Sequence, residues 1–71
     1  MTTICTYPSL AIEGETLRVE RTAGRYRLCR LDRHGRRIRC MNMQITPESA
    51  AAHVLLARKL GGQVADTALA S

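Results

Sequence analysis

The side chains that could perform covalent or metal chemistry are few in this sequence, with three cysteines, two histidines and six acidic residues. Nucleophilic catalysis needs a thiol or hydroxyl beside a base, and a third group that orients the base. Cys29 and Cys40 are candidate nucleophiles, but His34 is predicted at a hairpin tip and His53 on a helix, so the spacing brings neither base beside a thiol. The acidic residues form no pair with a shared setting. We therefore expect a protein that is not an enzyme.

The cysteine spacing also predicts no metal site and no cofactor. Cys5, Cys29 and Cys40 contain no C-x-x-C pair, which a zinc ribbon or a redox motif would need. Cytosolic thiols are normally reduced, so a disulfide between Cys29 and Cys40 is the weaker alternative. The first residues lack the cationic and apolar regions of a signal peptide, and no stretch has the ~18 apolar residues of a membrane span. We expect a cytoplasmic protein without a membrane partner.

Positive charge is concentrated in the middle of the chain. Between residues 18 and 39, nine arginines face two acidic residues and give this segment a net charge of +7, against +5 for all 71 residues. Arginine presents a planar fork that suits phosphate and carboxylate. We expect an acidic partner, either a nucleic acid or an acidic protein or ribonucleoprotein surface; the alternative is a solvated face in an arginine-rich composition. The candidate contact residues are Arg25, Arg27, Arg30, Arg36, Arg37 and Arg39.

The pattern of apolar residues predicts the strands that would position these arginines. Residues 2–7 are rich in β-branched side chains and predict an edge strand. Residues 16–21 alternate between apolar and charged side chains, which is typical of a half-buried strand. Residues 25–31 and 36–45 predict a hairpin around His34-Gly35.

Two registers are open for this hairpin. A two-residue loop places apolar residues opposite one another throughout, which favours this register. Its pairs are Leu31 with Ile38, Cys29 with Cys40, Leu28 with Met41, and Tyr26 with Met43. A type I turn over residues 32–35 is the rival, and it would set Leu31 against Arg37. We prefer the two-residue loop.

A helix is predicted after the hairpin. Thr46 is a good N-cap, Pro47 suits the first helical position, and Glu48 complements the positive end of the helix dipole. No helix breaker occurs until the two glycines at 61 and 62. Leu55 falls on the charged side of this helix, where it is a candidate homodimer seam.

The predicted fold is α+β, an antiparallel meander of three or four strands with one C-terminal α-helix packed on one face (βββα). Residues 1–62 would form this single small domain, and residues 63–71 a short helix or a flexible tail. The helix covers one face of the sheet, which leaves the other face to solvent or to a ligand. The pattern does not decide which face that is.

Several of these features occur together between residues 24 and 60. An aromatic lies among arginines at 25–27, an Asp and a Gly bound the turn at 32–35, a basic strand follows at 36–39, and Thr46 opens an alanine-rich helix. This pattern resembles the three-stranded-sheet-plus-helix DNA-binding domains of phage and transposon integrases (the arm-binding domain) and of plant ethylene-response factors. The resemblance implies a sheet lying in the major groove. It implies DNA contacts by Arg25, Arg27, Arg30, Arg37 and Arg39.

The sequence thus predicts a small basic module that binds nucleic acid, in particular duplex DNA, through its arginine-rich hairpin. Tyr7 and Tyr26 are the only aromatics, which argues against recognition of single strands by base stacking. The alternative is a small phage or mobile-element accessory or inhibitor protein, of the anti-CRISPR kind, that binds a host protein or ribonucleoprotein complex. A third interpretation is a subunit that buries Leu55 and its methionines in a larger assembly.

Overall fold

The computed structural model describes residues 2–38 and 43–65. The described residues form an α+β fold in which a five-stranded antiparallel sheet packs against one helix. In chain order the elements are β1 (Thr2–Pro8), β2 (Thr16–Thr22), β3 (Arg25–Leu31), β4 (Met43–Ile45), α1 (Pro47–Lys59) and β5 (Gln63–Val64). The strands lie side by side in the order β4-β3-β2-β1-β5. No helix in the described part of the chain is long and apolar enough to cross a membrane.

The α+β class is confirmed, but the sheet has one more strand than the meander predicted, and the helix is not the last element. β5 follows α1 and pairs antiparallel with β1, where Cys5 faces Val64. The prediction that β1 is an edge strand is therefore wrong. The segment 63–71, expected as a short helix or a tail, begins as strand β5, and its residues 66–71 lie outside the described residues.

A glycine allows β5 to reach β1. A Cβ atom at Gly62 would lie 2.1 Å from the carbonyl oxygen of Thr6, far inside van der Waals contact. The Gly62 N–H donates to the carbonyl of Ala57 at 2.8 Å, which fixes the chain as it leaves the helix. Only a residue without a side chain can pass this close to the backbone of β1.

The turn after β3 is built around one carboxylate. Asp32 Oδ1 accepts hydrogen bonds from the backbone N–H groups of His34 at 2.8 Å and Arg36 at 2.9 Å. The backbone N–H of Gly35 donates to the Asp32 carbonyl at 2.9 Å, which closes a turn over residues 32–35. The N–H of Arg36, followed by that of His34, holds the pKa of the Asp32 carboxyl below its ordinary value.

This turn changes the register that we preferred. Leu31 pairs with Arg37, so the two-residue loop is wrong and the rival's pairing is correct next to the turn, but the rival's one-residue slip does not continue along β3 and β4. Further from the turn, Leu28 faces Met43 and Tyr26 faces Ile45. In the preferred register these two residues had partners two positions earlier in the chain, and a shift of two keeps each side chain on its face. The expected partners Cys40 and Met41 lie outside the described residues.

The predicted helix is confirmed, including its N-cap. Thr46 Oγ1 accepts the backbone N–H of Ser49 at 3.1 Å, with proline at the next position. The buried side of α1 carries Ala50, Val54 and Ala57. Two alanines on this side let the helix approach the sheet closely.

The core lies between α1 and the sheet face that carries Tyr7, Val19 and Leu28. On this face the hydroxyl of Tyr7 forms a hydrogen bond with Nδ1 of His53, and the two rings stack with their centroids 5.8 Å apart. Burial lowers the pKa of His53, which favours the neutral ring that can accept this hydrogen bond. His53 is thus a satisfied histidine at the margin of the core.

Candidate nucleic-acid interface

The strand register separates the side chains of the sheet into two faces. Residues directly opposite one another on antiparallel strands point to the same side, and neighbours along a strand alternate. Val19 on β2 and Leu28 on β3 face the helix, so the residues next to each of them along the same strand face away from it. We call this second side the arginine face. Its described residues include Arg18, Glu20, Thr22, Arg25, Arg27, Cys29, Leu31, Arg37 and Gln44.

The centre of the arginine face is an ion cluster around Glu20. The Glu20 side chain is only 1% exposed, and it lies 2.7 Å from Nε of Arg18. Nη2 of Arg37 donates to both carboxylate oxygens, at 2.9 and 3.1 Å. A carboxylate is buried at low cost only when cations and donors surround it. Arg18 and Arg37 therefore neutralise Glu20 within the molecule.

The contact between Arg18 and Glu20 is an ion pair rather than a hydrogen bond. The two atoms are 2.7 Å apart, yet the buried Nε of Arg18 has no hydrogen-bond partner among the described residues. At this distance the N–H must point away from the line that joins Nε to the oxygen. Arg18 therefore contributes charge to the cluster, while Arg37 supplies the directed hydrogen bonds.

Cys29 lies in the same cluster. Its Sγ donates to Oε1 of Glu20 at 3.5 Å, and the residue is fully buried. Burial raises the pKa of the Cys29 thiol, and the negative charge of Glu20 raises it further. At neutral pH the sulfur is therefore a protonated donor, which is a poor nucleophile.

Besides Arg37, two more of the predicted contact residues have partners within the protein. Arg30 lies on the helix side of the sheet, where its guanidinium forms a bidentate pair with Glu15 at 2.6 and 2.8 Å. This hydrogen bonding holds the pKa of Glu15 below its ordinary value. Arg36 lies at the turn, 76% exposed, with its Nε 3.5 Å from Asp32, so this pair restrains its side chain weakly.

Arg25 and Arg27 occupy one end of the arginine face, next to the turn between β2 and β3. Both are exposed, and neither forms an ion pair with a described residue. They line an open concavity of about 590 Å³ together with Thr22, Ala23, Tyr26 and Gln44. The concavity offers two guanidinium groups, a hydroxyl and an amide to a ligand.

The structure thus brings together three of the six predicted contact residues on one face, Arg25, Arg27 and Arg37. It places Arg30 on the other face and Arg36 at the turn, while Arg39 lies outside the described residues. Arg18, Glu20 and Gln44 were not among the predicted contact residues. The alternation of β2 already places Arg18 and Glu20 side by side on one face. The position of Gln44 depends on the β3–β4 register, which the sequence pattern did not predict.

Leu55 lies on the outer side of α1, 60% exposed, between the exposed Ala52 and Arg58. This agrees with its predicted position, and the homodimer seam stays a prediction.

Among residues 2–38 and 43–65, no group of three His, Cys, Asp or Glu side chains could hold a metal ion.

No protein-family model, curated protein or solved structure matches this chain. The resemblance to integrase arm-binding and ethylene-response-factor domains stays a prediction from residues 24–60. The charge, exposure and register of the arginine face are therefore the features that bear on function.

Proposed function

We propose that the protein is a small non-enzymatic module that binds duplex DNA, with the Arg25–Arg27 end of the arginine face as the interface. The observation that supports this most is the difference between the two halves of that face. Arg18 and Arg37 are neutralised by Glu20, whereas Arg25 and Arg27 are exposed and have no described carboxylate partner. Free guanidinium groups on a rigid strand can bind phosphates with little rearrangement.

The location of β4 and β3 at one side of the sheet favours a duplex as the partner. β4 is the outermost strand on this side of the sheet and β3 is its neighbour. Two strands about 4.8 Å apart form a ribbon that fits a major groove about 12 Å wide. The arginines of β3 would then meet phosphates or base edges, depending on how deeply the ribbon enters.

The position of Tyr26 argues against a single-stranded partner. Tyr26 borders the concavity beside Arg25 and Arg27, but it is half-buried and packs against the hydrophobic core on the helix side of the sheet. The strand register places no described aromatic residue on the arginine face itself. Binding of single strands usually depends on aromatic side chains on which the bases stack. A duplex, which presents phosphates and groove edges, is the better match.

An acidic protein or ribonucleoprotein surface is the alternative partner, as for a small phage or mobile-element inhibitor, because the same charges would attract it. A cytoplasmic location, and a homodimer formed through Leu55, are parts of the same proposal. The exposure of Leu55 supports the homodimer.

The proposal is tested by fluorescence anisotropy of a labelled random-sequence duplex, titrated with the protein at about 50 and 200 mM salt. We expect the dissociation constant to rise by roughly ten-fold or more, because each phosphate contact releases a counterion and steepens the salt dependence. Binding that ignores salt would contradict a phosphate interface. No binding at the lower salt concentration would rule out DNA and favour the acidic-protein partner, which a pull-down could then identify.

A further inference from the structure

Arg27 on β3 lies directly opposite Gln44 on β4, and both side chains belong to the arginine face. We propose that Arg27 and Gln44 form a base-reading pair that recognises a guanine and an adenine at neighbouring positions in the major groove. This inference rests on the proposed binding of duplex DNA and adds sequence selectivity to it. It assigns a role to Gln44, which carries no charge.

Both side chains are available to a ligand. Arg27 also lies opposite Glu20 on its other neighbour β2, but the Glu20 carboxylate is occupied by Arg18 and Arg37. Gln44 is exposed and forms no side-chain hydrogen bond with a described residue. An amide and a guanidinium therefore lie on neighbouring strands at the edge of the sheet, and no described residue uses their hydrogen-bonding groups.

The guanidinium of Arg27 and the amide of Gln44 match different bases. A guanidinium can donate two parallel hydrogen bonds to O6 and N7 of guanine. A glutamine amide donates and accepts at once, which matches N7 and the amino group of adenine. Two cationic side chains would both favour guanine or phosphate, so the presence of an amide beside Arg27 is what suggests recognition of two different bases.

The spacing fits a single base step. Residues directly opposite one another on antiparallel strands have Cβ atoms about 5 Å apart, and stacked base pairs are about 3.4 Å apart. The side chains of Arg27 and Gln44 are long enough for their ends to approach one another to the smaller spacing of the bases. Thr22 and Arg25 line the same concavity, where they can hold a phosphate beside the bases that are read.

The test is selection of binding sites from a library of random duplexes, carried out with the wild-type protein and with Gln44→Glu. A glutamate can only accept hydrogen bonds, so it should favour the cytosine amino group over adenine. Gln63→Glu is the control, because Gln63 is an exposed glutamine on β5 at the opposite edge of the sheet and its substitution changes the net charge equally. Circular dichroism would verify that all three proteins are folded.

We expect wild-type sites to contain adjacent guanine and adenine, and their replacement to weaken binding roughly five- to hundred-fold. Gln44→Glu should lose the preference for adenine at one position and gain one for cytosine, while Gln63→Glu keeps the wild-type preference. Duplex binding with no base preference, or an adenine preference that survives in Gln44→Glu, would overturn the base-reading pair and leave the proposed function intact. Failure of every protein to bind any duplex would instead overturn the proposed function, and the base-reading pair with it.

Discussion

At the scale of single residues, Glu20 determines which guanidinium groups of the arginine face are available. It is one of the two acidic residues among nine arginines between residues 18 and 39. Its carboxylate holds Arg18 and Arg37 and leaves Arg25 and Arg27 without a described partner. The free charge of this face is thus set by the position of one carboxylate as well as by the number of arginines.

Replacement of Glu20 should therefore destabilise the fold. Glu20→Gln keeps the shape of the side chain but leaves Arg18 and Arg37 close together without their counter-charge. Because both arginines are partly exposed, we expect a loss of about 1–3 kcal/mol in the free energy of unfolding. Urea denaturation followed by circular dichroism measures it. Glu13→Gln, which alters an exposed carboxylate outside any described ion pair, should change stability by less than about 0.5 kcal/mol. Equal stability of the two variants would contradict a structural role for the Glu20 cluster.

Part of the site could be predicted from the residues. Alternation along β2 placed Arg18 and Glu20 on one face, and alternation along β3 did the same for Arg25 and Arg27. The pairing of Arg30 with Glu15 could not be predicted, since it depends on how the loop before β2 folds beside β3. A count of charges therefore located the basic segment but could not separate free arginines from paired ones.

At the scale of elements, the junction between α1 and β5 positions the last strand. Gly62 lies where any Cβ atom would collide with the carbonyl of Thr6. Gly62→Ala should push β5 away from β1 and lower the free energy of unfolding by about 2 kcal/mol or more. Urea denaturation of the purified variant measures the loss.

Gly61→Ala is the matched control for this junction. Gly61 has a φ of +71° with no atom near its missing side chain, so alanine there costs only the strain of a left-handed backbone, about 1–2 kcal/mol. We expect the loss at position 62 to be the larger of the two. A smaller loss at position 62 would mean that the close contact with β1 does not hold in solution.

The elements were more predictable than their pairing. Strong local signals, such as the Thr46 cap and the alternation of β2, identified the helix and the long strands. The predicted hairpin register was wrong because the hydrogen bonds that Asp32 makes within the turn determine the pairing more strongly than apolar cross-strand contacts do. β5 was not predicted because a strand of two residues is too short to show an alternation of apolar and polar side chains. Its pairing with β1 also depends on contacts between residues distant in sequence.

At the scale of the whole molecule, α1 is the one helix among the described residues, and it makes the two faces of the sheet different. It covers the sheet face with Tyr7 and Leu28, and this leaves the arginine face uncovered by α1. The helix carries two cations of its own, Arg58 and Lys59, which are exposed in its last turn. Arg25 with Arg27 and Arg58 with Lys59 are therefore two exposed pairs of cations with equal charge and different locations.

The proposed DNA interface is the Arg25–Arg27 end of the arginine face. The most direct test compares Arg25→Ala/Arg27→Ala with Arg58→Ala/Lys59→Ala, both of which remove two positive charges, in the salt dependence of binding to a random duplex. For the first variant we predict affinity at least roughly ten-fold weaker at about 50 mM salt, and a slope of log K against log salt reduced by about one to two. The second variant should keep nearly the wild-type affinity and slope. Equal losses in the two variants would mean that only net charge matters, and this result would contradict an interface on the arginine face.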